Sequence, residues 1–176
     1  MTDIPTVISL GFDQSFTATG IALVRYHPVS GPLPLWITEV EPLTQPKLQD
    51  ALSSVLRLLH GREMTLDVVT VEAGFVSTAE ATGELDKPRG GLETARSCGM
   101  VEAHVWFHWP DVPVHRLLAI VWRPIILGTG HKSASEAILW GRSLLADPTA
   151  SEHIAEAVGI ATAGAMKHLE REGVKA

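Results

Sequence analysis

Cysteine is nearly absent from this sequence of 176 residues, in which Cys98 stands alone. A single cysteine cannot form a disulfide within its own chain, so a small scaffold held together by disulfides is excluded. The first residues also lack the basic and then apolar pattern of a secretory signal. Together the two absences predict a protein of the reducing cytoplasm.

Long apolar runs are missing as well. A membrane helix needs about 20 consecutive apolar residues, and Arg116 and Arg123 bracket the best candidate stretch. The 45% of apolar residues can fill a single core, and neither the proline-rich stretch 28–34 nor the polar stretch 77–91 is long enough to separate two domains. We therefore expect one soluble domain over residues 1–176.

Positive charge is scarce, with 14 Lys and Arg against 20 Asp and Glu and a formal net charge of -6. Because phosphate binding needs clustered cations, this total argues against tight binding of nucleic acid. The central stretch 87–142, by contrast, gathers several cations, and it is either a DNA-facing surface or an ordinary solvated one. Its cations are Lys87, Arg89, Arg96, Arg116, Arg123, Lys132 and Arg142.

The order of predicted elements indicates an α/β layer fold with a mixed sheet. Three strand patterns precede the first helical one, which suggests an antiparallel meander, and a strand reached through that helix is expected to pair parallel with the first strand. The predicted strands are Val7–Phe12, Gly20–Arg25, Leu35–Val40, Val68–Val71 and Val112–His115, and the predicted helices are Leu48–Leu59, Gly91–His108, Ser133–Leu145 and a closing helix with an apolar stripe from Ile154 to Leu169.

Two carboxylates fall at the ends of predicted strands. Alternation places Asp13 on the same side of the first strand as Ser9 and Gly11, where little side-chain bulk surrounds it, and Glu72 closes the fourth strand. If these strands are parallel neighbours, a divalent cation would offset the repulsion between the two acids, and Mg²⁺ prefers such oxygen ligands. The alternatives are an Asx-turn role for Asp13 and an exposed strand-end acid at Glu72.

The closing helix offers further ligands. His153 and Glu156 are three residues apart and share one helical face, so both can reach a site at the edge of the sheet. Glu152 points elsewhere on this interpretation. It remains an alternative to His153 as a site residue, since it lies four residues before Glu156. The alternative for all of them is a solvated helix surface.

Several segments resemble the RuvC-type Holliday-junction resolvases of the ribonuclease H-like superfamily. GFDQSFTATGIALV is similar to their first strand, catalytic acid and second strand, and VTVEAGF to the strand that ends in a catalytic glutamate, here Glu72, followed by an aromatic wedge, here Phe75. The segments GGLETARSCGMVEAHV, WRPIILGTGHKSASEAIL and SEHIAEAVGIATAGAM continue the resemblance in family order over nearly the whole chain.

The resemblance implies a ribonuclease H-like fold with a mixed five-stranded sheet and a homodimer that cuts four-way DNA junctions symmetrically, leaving 5′-phosphate and 3′-hydroxyl ends. We take Gly91–His108 as the candidate dimer interface. The implied site holds two Mg²⁺ ions, although His153 and Glu156 stand where aspartate is usual and imidazole makes Mn²⁺ an alternative. The implied catalytic and metal residues are Asp13, Glu72, His153 and Glu156, and the implied DNA contacts are Phe75, Lys87, Arg89, Arg96, Arg123 and Lys132.

Other functions fit parts of the pattern. FDQSFTATG also looks like the first phosphate loop of sugar kinases and actin-like ATPases, but a single domain of this length lacks their second half. A nuclease-like fold could serve only as a DNA-binding or scaffold module, with His153 marking a lost metal site. The same chemistry could also act on RNA, as in related RNA-processing nucleases.

Overall fold

The computed structural model describes residues 5–14, 18–73, 90–128 and 133–174, with no account of the side chains of 90–95. These ranges contain five strands and five helices. In chain order the elements are β1 (Val7–Gln14), β2 (Thr19–His27), β3 (Gly31–Val40), α1 (Gln45–Gly61), β4 (Val68–Glu72), α2 (Gly90–His108), β5 (Val114–Leu117), α3 (Ala119–Leu127), α4 (Ala134–Leu145) and α5 (Glu152–Arg171).

The strands form one mixed sheet in the order β3-β2-β1-β4-β5. β1, β2 and β3 are antiparallel neighbours, whereas β4 pairs parallel with β1 and β5 pairs parallel with β4. The helix between β3 and β4 carries the chain across the sheet, which allows the parallel pairing. The expected fold, with three antiparallel strands followed by parallel ones, is confirmed.

Some boundaries differ from those expected. β1 continues to Gln14, so Asp13 lies inside the strand, and β5 spans Val114–Leu117, two residues later than the pattern indicated. Helix α3 was not predicted at all. Apart from Arg123 its residues are apolar on every side, and Pro124 interrupts it, so the sequence shows neither a one-sided apolar stripe nor an uninterrupted set of backbone donors.

One face of the sheet is covered by α1 and α2. Leu10 and Phe12 of β1 are completely buried there, against Leu48 and Leu52 of α1. Alternation along β1 then directs the other residues of this strand, Asp13 among them, to the opposite face. Among the described residues, no helix is both long and apolar enough to span a bilayer.

Helix α5 covers the opposite face and lies unusually close to the sheet. A Cβ atom added at Gly11 would lie 2.5 Å from the backbone oxygen of Ala157, and one added at Gly20 would lie 2.0 Å from the backbone oxygen of His153. Real Cβ atoms do not approach backbone this closely, so both positions require glycine. This contact sets the first turn of α5 directly over the ends of β1 and β2.

Candidate active site

Asp13 and Glu72 lie side by side at one edge of the sheet. The register of β1 and β4 pairs Phe12 with Val71, so the next residue on each strand is an acid. Asp13 is 5% exposed. Burial, and then the negative charges of Asp13 and Glu156, raise the pKa of Glu72 to about 8. The placement expected from the sequence is the one observed, and the pair carries negative charge that water does not stabilise.

His153 contacts Asp13 from the first turn of α5. Its Nδ1 atom lies 2.6 Å from Oδ2 of Asp13. This hydrogen bond is the main cause that raises the pKa of His153, against the opposing effect of burial. A raised pKa favours the imidazolium form, in which Nδ1 donates to the carboxylate.

Glu156 lies one turn further along α5 and contacts a cation from another helix. Arg123 of α3 donates from Nη2 to Oε1 of Glu156 over 2.8 Å. Burial and the charge of Asp13 raise the pKa of Glu156, whereas the hydrogen bond and charge of Arg123 lower it. Glu156 therefore belongs to the same electrostatic cluster as Asp13.

Sequence reasoning missed Glu39, the acid next to this cluster. Register places Asp13 beside Gly20 and Gly20 beside Glu39, so the three form a row across the sheet. Glu39 accepts a hydrogen bond from the hydroxyl of Ser151, the N-cap of α5, and its charge contributes to the raised pKa of His153. Glu39 thereby anchors the end of the helix that presents His153.

The remaining predicted residues divide into two groups. Glu152 is exposed, so His153 and not Glu152 faces the acids, and Arg96 is exposed on α2. Phe75, Lys87, Arg89 and Lys132 lie outside the described residues.

The donor set suits a hard divalent cation, because three carboxylates and one imidazole share a largely buried edge, and burial, followed by the negative charge of Asp13, raises the pKa of both Glu72 and Glu156. Within ranges 5–14, 18–73, 90–128 and 133–174, however, no three such ligands already converge as a metal site. Instead, Asp13 is hydrogen-bonded to His153, and Glu156 is hydrogen-bonded to Arg123. Internal cations therefore partly neutralise the cluster.

No family model and no curated protein sequence matches the chain. Its structure does resemble solved ones. Thermus thermophilus RuvC in complex with a Holliday junction substrate matches with a TM-score of 0.68 at 20% identity, covering 95% of this chain and 96% of that one. A second structure of T. thermophilus RuvC matches with a TM-score of 0.63 at 20% identity, covering 96% of this chain and 98% of that chain.

The yeast mitochondrial Holliday junction resolvase Ydc2 is similar with a TM-score of 0.54 at 13% identity, covering 98% of this chain and 83% of its own. At such identities the likeness establishes the fold. This chain has the fold of the RuvC resolvases, as its sequence segments suggested, while its activity has to be argued from the site.

Proposed function

We propose that this chain is a divalent-metal-dependent endonuclease that cuts four-way DNA junctions. The observation that carries the proposal is the cluster of Asp13, Glu72 and Glu156 with His153 at one sheet edge, drawn from three elements and partly buried. A group of buried acids is costly for folding, and such clusters are typical of functional sites. The fold shared with solved Holliday junction resolvases supports a junction as the substrate.

Asp13 is the central residue of the proposed site, since it neighbours Glu72 and contacts His153. With Glu72, Glu156 and His153 it would hold two divalent ions, Mg²⁺ or Mn²⁺. Such ions supply an activated water and neutralise charge on the leaving 3′ oxygen. His153 fixes the rotamer of Asp13 and can hold a proton at Nδ1.

Glu39 and Ser151 would keep the first turn of α5 in place while the site works. Ser151 caps the helix by accepting a hydrogen bond from the backbone of Ile154 over 3.2 Å and donates its own hydroxyl proton to Glu39. The two contacts connect the helix that carries His153 and Glu156 to the sheet that carries Asp13. The catalytic groups are thus presented by rigid elements, as precise positioning requires.

Symmetric cutting of a four-way junction needs two active sites, and we propose a homodimer. Helix α2 is the proposed interface. Its C-terminal half exposes two large apolar side chains, with Trp106 69% and Phe107 76% exposed, and burying them against a second copy would remove that surface from water. Arg96 and Arg123, with Phe75, Lys87, Arg89 and Lys132, are the proposed DNA contacts, Phe75 as a wedge that replaces a base neighbour in the opened stack.

The test is cleavage of a synthetic four-way junction in Mg²⁺ and in Mn²⁺, with linear duplex and an RNA–DNA hybrid as controls. We expect paired, symmetric nicks in the junction alone, with 5′-phosphate and 3′-hydroxyl ends. Binding of the junction without cutting in either metal would favour a scaffold module, and cutting of the hybrid alone would favour an RNA-processing nuclease. ATP binding without cleavage would favour the kinase-like alternative.

A further inference from the structure

Arg123 occupies a position unlike that of an ordinary DNA-contacting arginine. Its side chain is only 20% exposed, and Nη2 donates over 2.8 Å to Glu156, which is itself 13% exposed. Among the described residues, the Nε atom of Arg123 is buried and has no hydrogen-bond partner. The guanidinium is thus directed into the acid cluster and not out towards solvent.

The neighbours of Arg123 hold it there. Its guanidinium carbon lies 5.3 Å from the ring centre of Trp122, an arrangement that attracts a cation to the aromatic face. Trp122 is completely buried against Gly159 of α5, where an added Cβ atom would lie 2.7 Å from the indole. The tryptophan therefore fixes α3 against α5 and directs the following arginine towards Glu156.

The charge of Arg123 acts on more than its direct partner. It opposes the rise in the pKa of Glu156 and also that of Glu72. One guanidinium therefore stabilises the ionised forms of Glu72 and Glu156, two of the three acids whose ionised forms a metal ion would also stabilise. A guanidinium and a divalent ion cannot both lie against the same carboxylate without repelling each other.

We propose that Arg123 is a positioning residue that takes the place of a divalent cation beside Glu156 in the metal-free protein, and that a metal ion displaces it. The inference rests on the proposed function, because the same acids form the metal site. Arg123 stabilises the unloaded cluster and lowers its affinity for metal. Once displaced, its guanidinium is free to contact a phosphate of the substrate, so DNA and metal would assist each other in binding.

The test compares Mn²⁺ binding to the DNA-free protein by calorimetry for wild type, Arg123→Gln and Arg123→Lys. Arg123→Gln should bind Mn²⁺ more tightly by on the order of five- to tenfold, the coupling typical of two ligands that compete. Its metal-free form should also unfold at a lower temperature than wild type, because the acids lose a counter-charge. Arg123→Lys keeps the charge and should stay near the wild-type affinity.

Arg116→Gln is the matched control. Arg116 also forms an ion pair with a glutamate, Glu102, but it is exposed and that pair lies outside the acid cluster. Its loss should leave Mn²⁺ affinity unchanged. Mn²⁺ binding by Arg123→Gln that is equal to or weaker than that of wild type would overturn the inference. If Arg123→Gln does not fold, two other variants decide. Weaker binding than wild type by Arg123→Ala, or tighter binding than wild type by Arg123→Lys, would overturn the inference in the same way.

The outcomes separate the two proposals. A wild-type protein that binds Mn²⁺ but cuts no junction would refute the proposed function and leave the Arg123 comparison valid. Cleavage by wild type together with unchanged Mn²⁺ affinity in Arg123→Gln would refute the inference alone. A wild type that binds no Mn²⁺ would refute both.

Discussion

Replacing Glu72 by glutamine should stabilise the metal-free protein at neutral pH while removing one ligand of the proposed metal site. Glutamine keeps the shape of the side chain but cannot ionise. Burial, and then repulsion from Asp13 and Glu156, raise the pKa of Glu72 from 4.5 to about 8. An acid whose pKa is raised on folding contributes its full stabilisation below its unfolded pKa of 4.5. That stabilisation is lost as the pH rises from 4.5 through the folded pKa of about 8.

The size of this effect follows from the interval between the two pKa values. Each pKa unit is worth about 1.4 kcal/mol. At pH 7 wild type has therefore lost about 3 kcal/mol of folding stability relative to acidic pH. Because Glu72 is only partly shielded from water, we expect about 2 kcal/mol. For a domain of this length that corresponds to a rise in Tm of about 4 to 8 °C.

The assay is thermal unfolding in EDTA at pH 5 and at pH 7.5. Glu72→Gln should match wild type more closely at pH 5 and unfold at the higher temperature at pH 7.5, and added Mn²⁺ should then raise the Tm of wild type more than that of the variant. Glu152→Gln is the control, since it makes the same chemical change at an exposed acid in the first turn of α5. A Glu72→Gln variant that is less stable than wild type by the same amount at both pH values would refute the reasoning.

Three further changes test the fold and the proposed DNA contact. Burial, and then nearby cations, lower the pKa of His115 from 6.5 to about 4. Its contribution to stability is therefore lost as the pH falls from 6.5 to 4, by about 3 kcal/mol. His115→Gln should flatten that loss in urea titrations. Gly20→Ala would force α5 off the sheet and should cost about 3 kcal/mol of stability in the same titrations. Gly99→Ala is the control and should not destabilise α2, because a Cβ atom added there has no neighbouring atom within 4 Å. Equal losses of stability in the two variants would contradict the close contact between α5 and the sheet. Phe75→Ala should slow junction cleavage well beyond any loss of stability, and full activity would dismiss the wedge.

The parts of the site that the sequence predicted are those set by local geometry. Asp13 and Glu72 could be placed together because the strand reached through α1 pairs parallel with the first strand, which brings the carboxyl ends of both strands to one edge of the sheet. His153 and Glu156 could be placed together because residues three apart share a helical face. Each step needed only the period of one element and a rule of connection.

The missed parts depend on contacts between distant segments. The pairing of Arg123 with Glu156 links residues 33 apart on two helices, one of which has no apolar stripe to reveal it. Glu39 lies beside Gly20 because of the register between β2 and β3, and this register shifts between Leu23 and Val24. Neither helix packing nor a register shift follows from periodicity alone.

The most direct test of the metal-nuclease proposal compares wild type and Asp13→Asn on one labelled four-way junction in Mg²⁺, measuring cleavage and equilibrium binding side by side. Asp13 neighbours Glu72 and contacts His153, so the amide should abolish strand cutting and leave junction binding measurable. Undiminished cutting by Asp13→Asn would contradict the account.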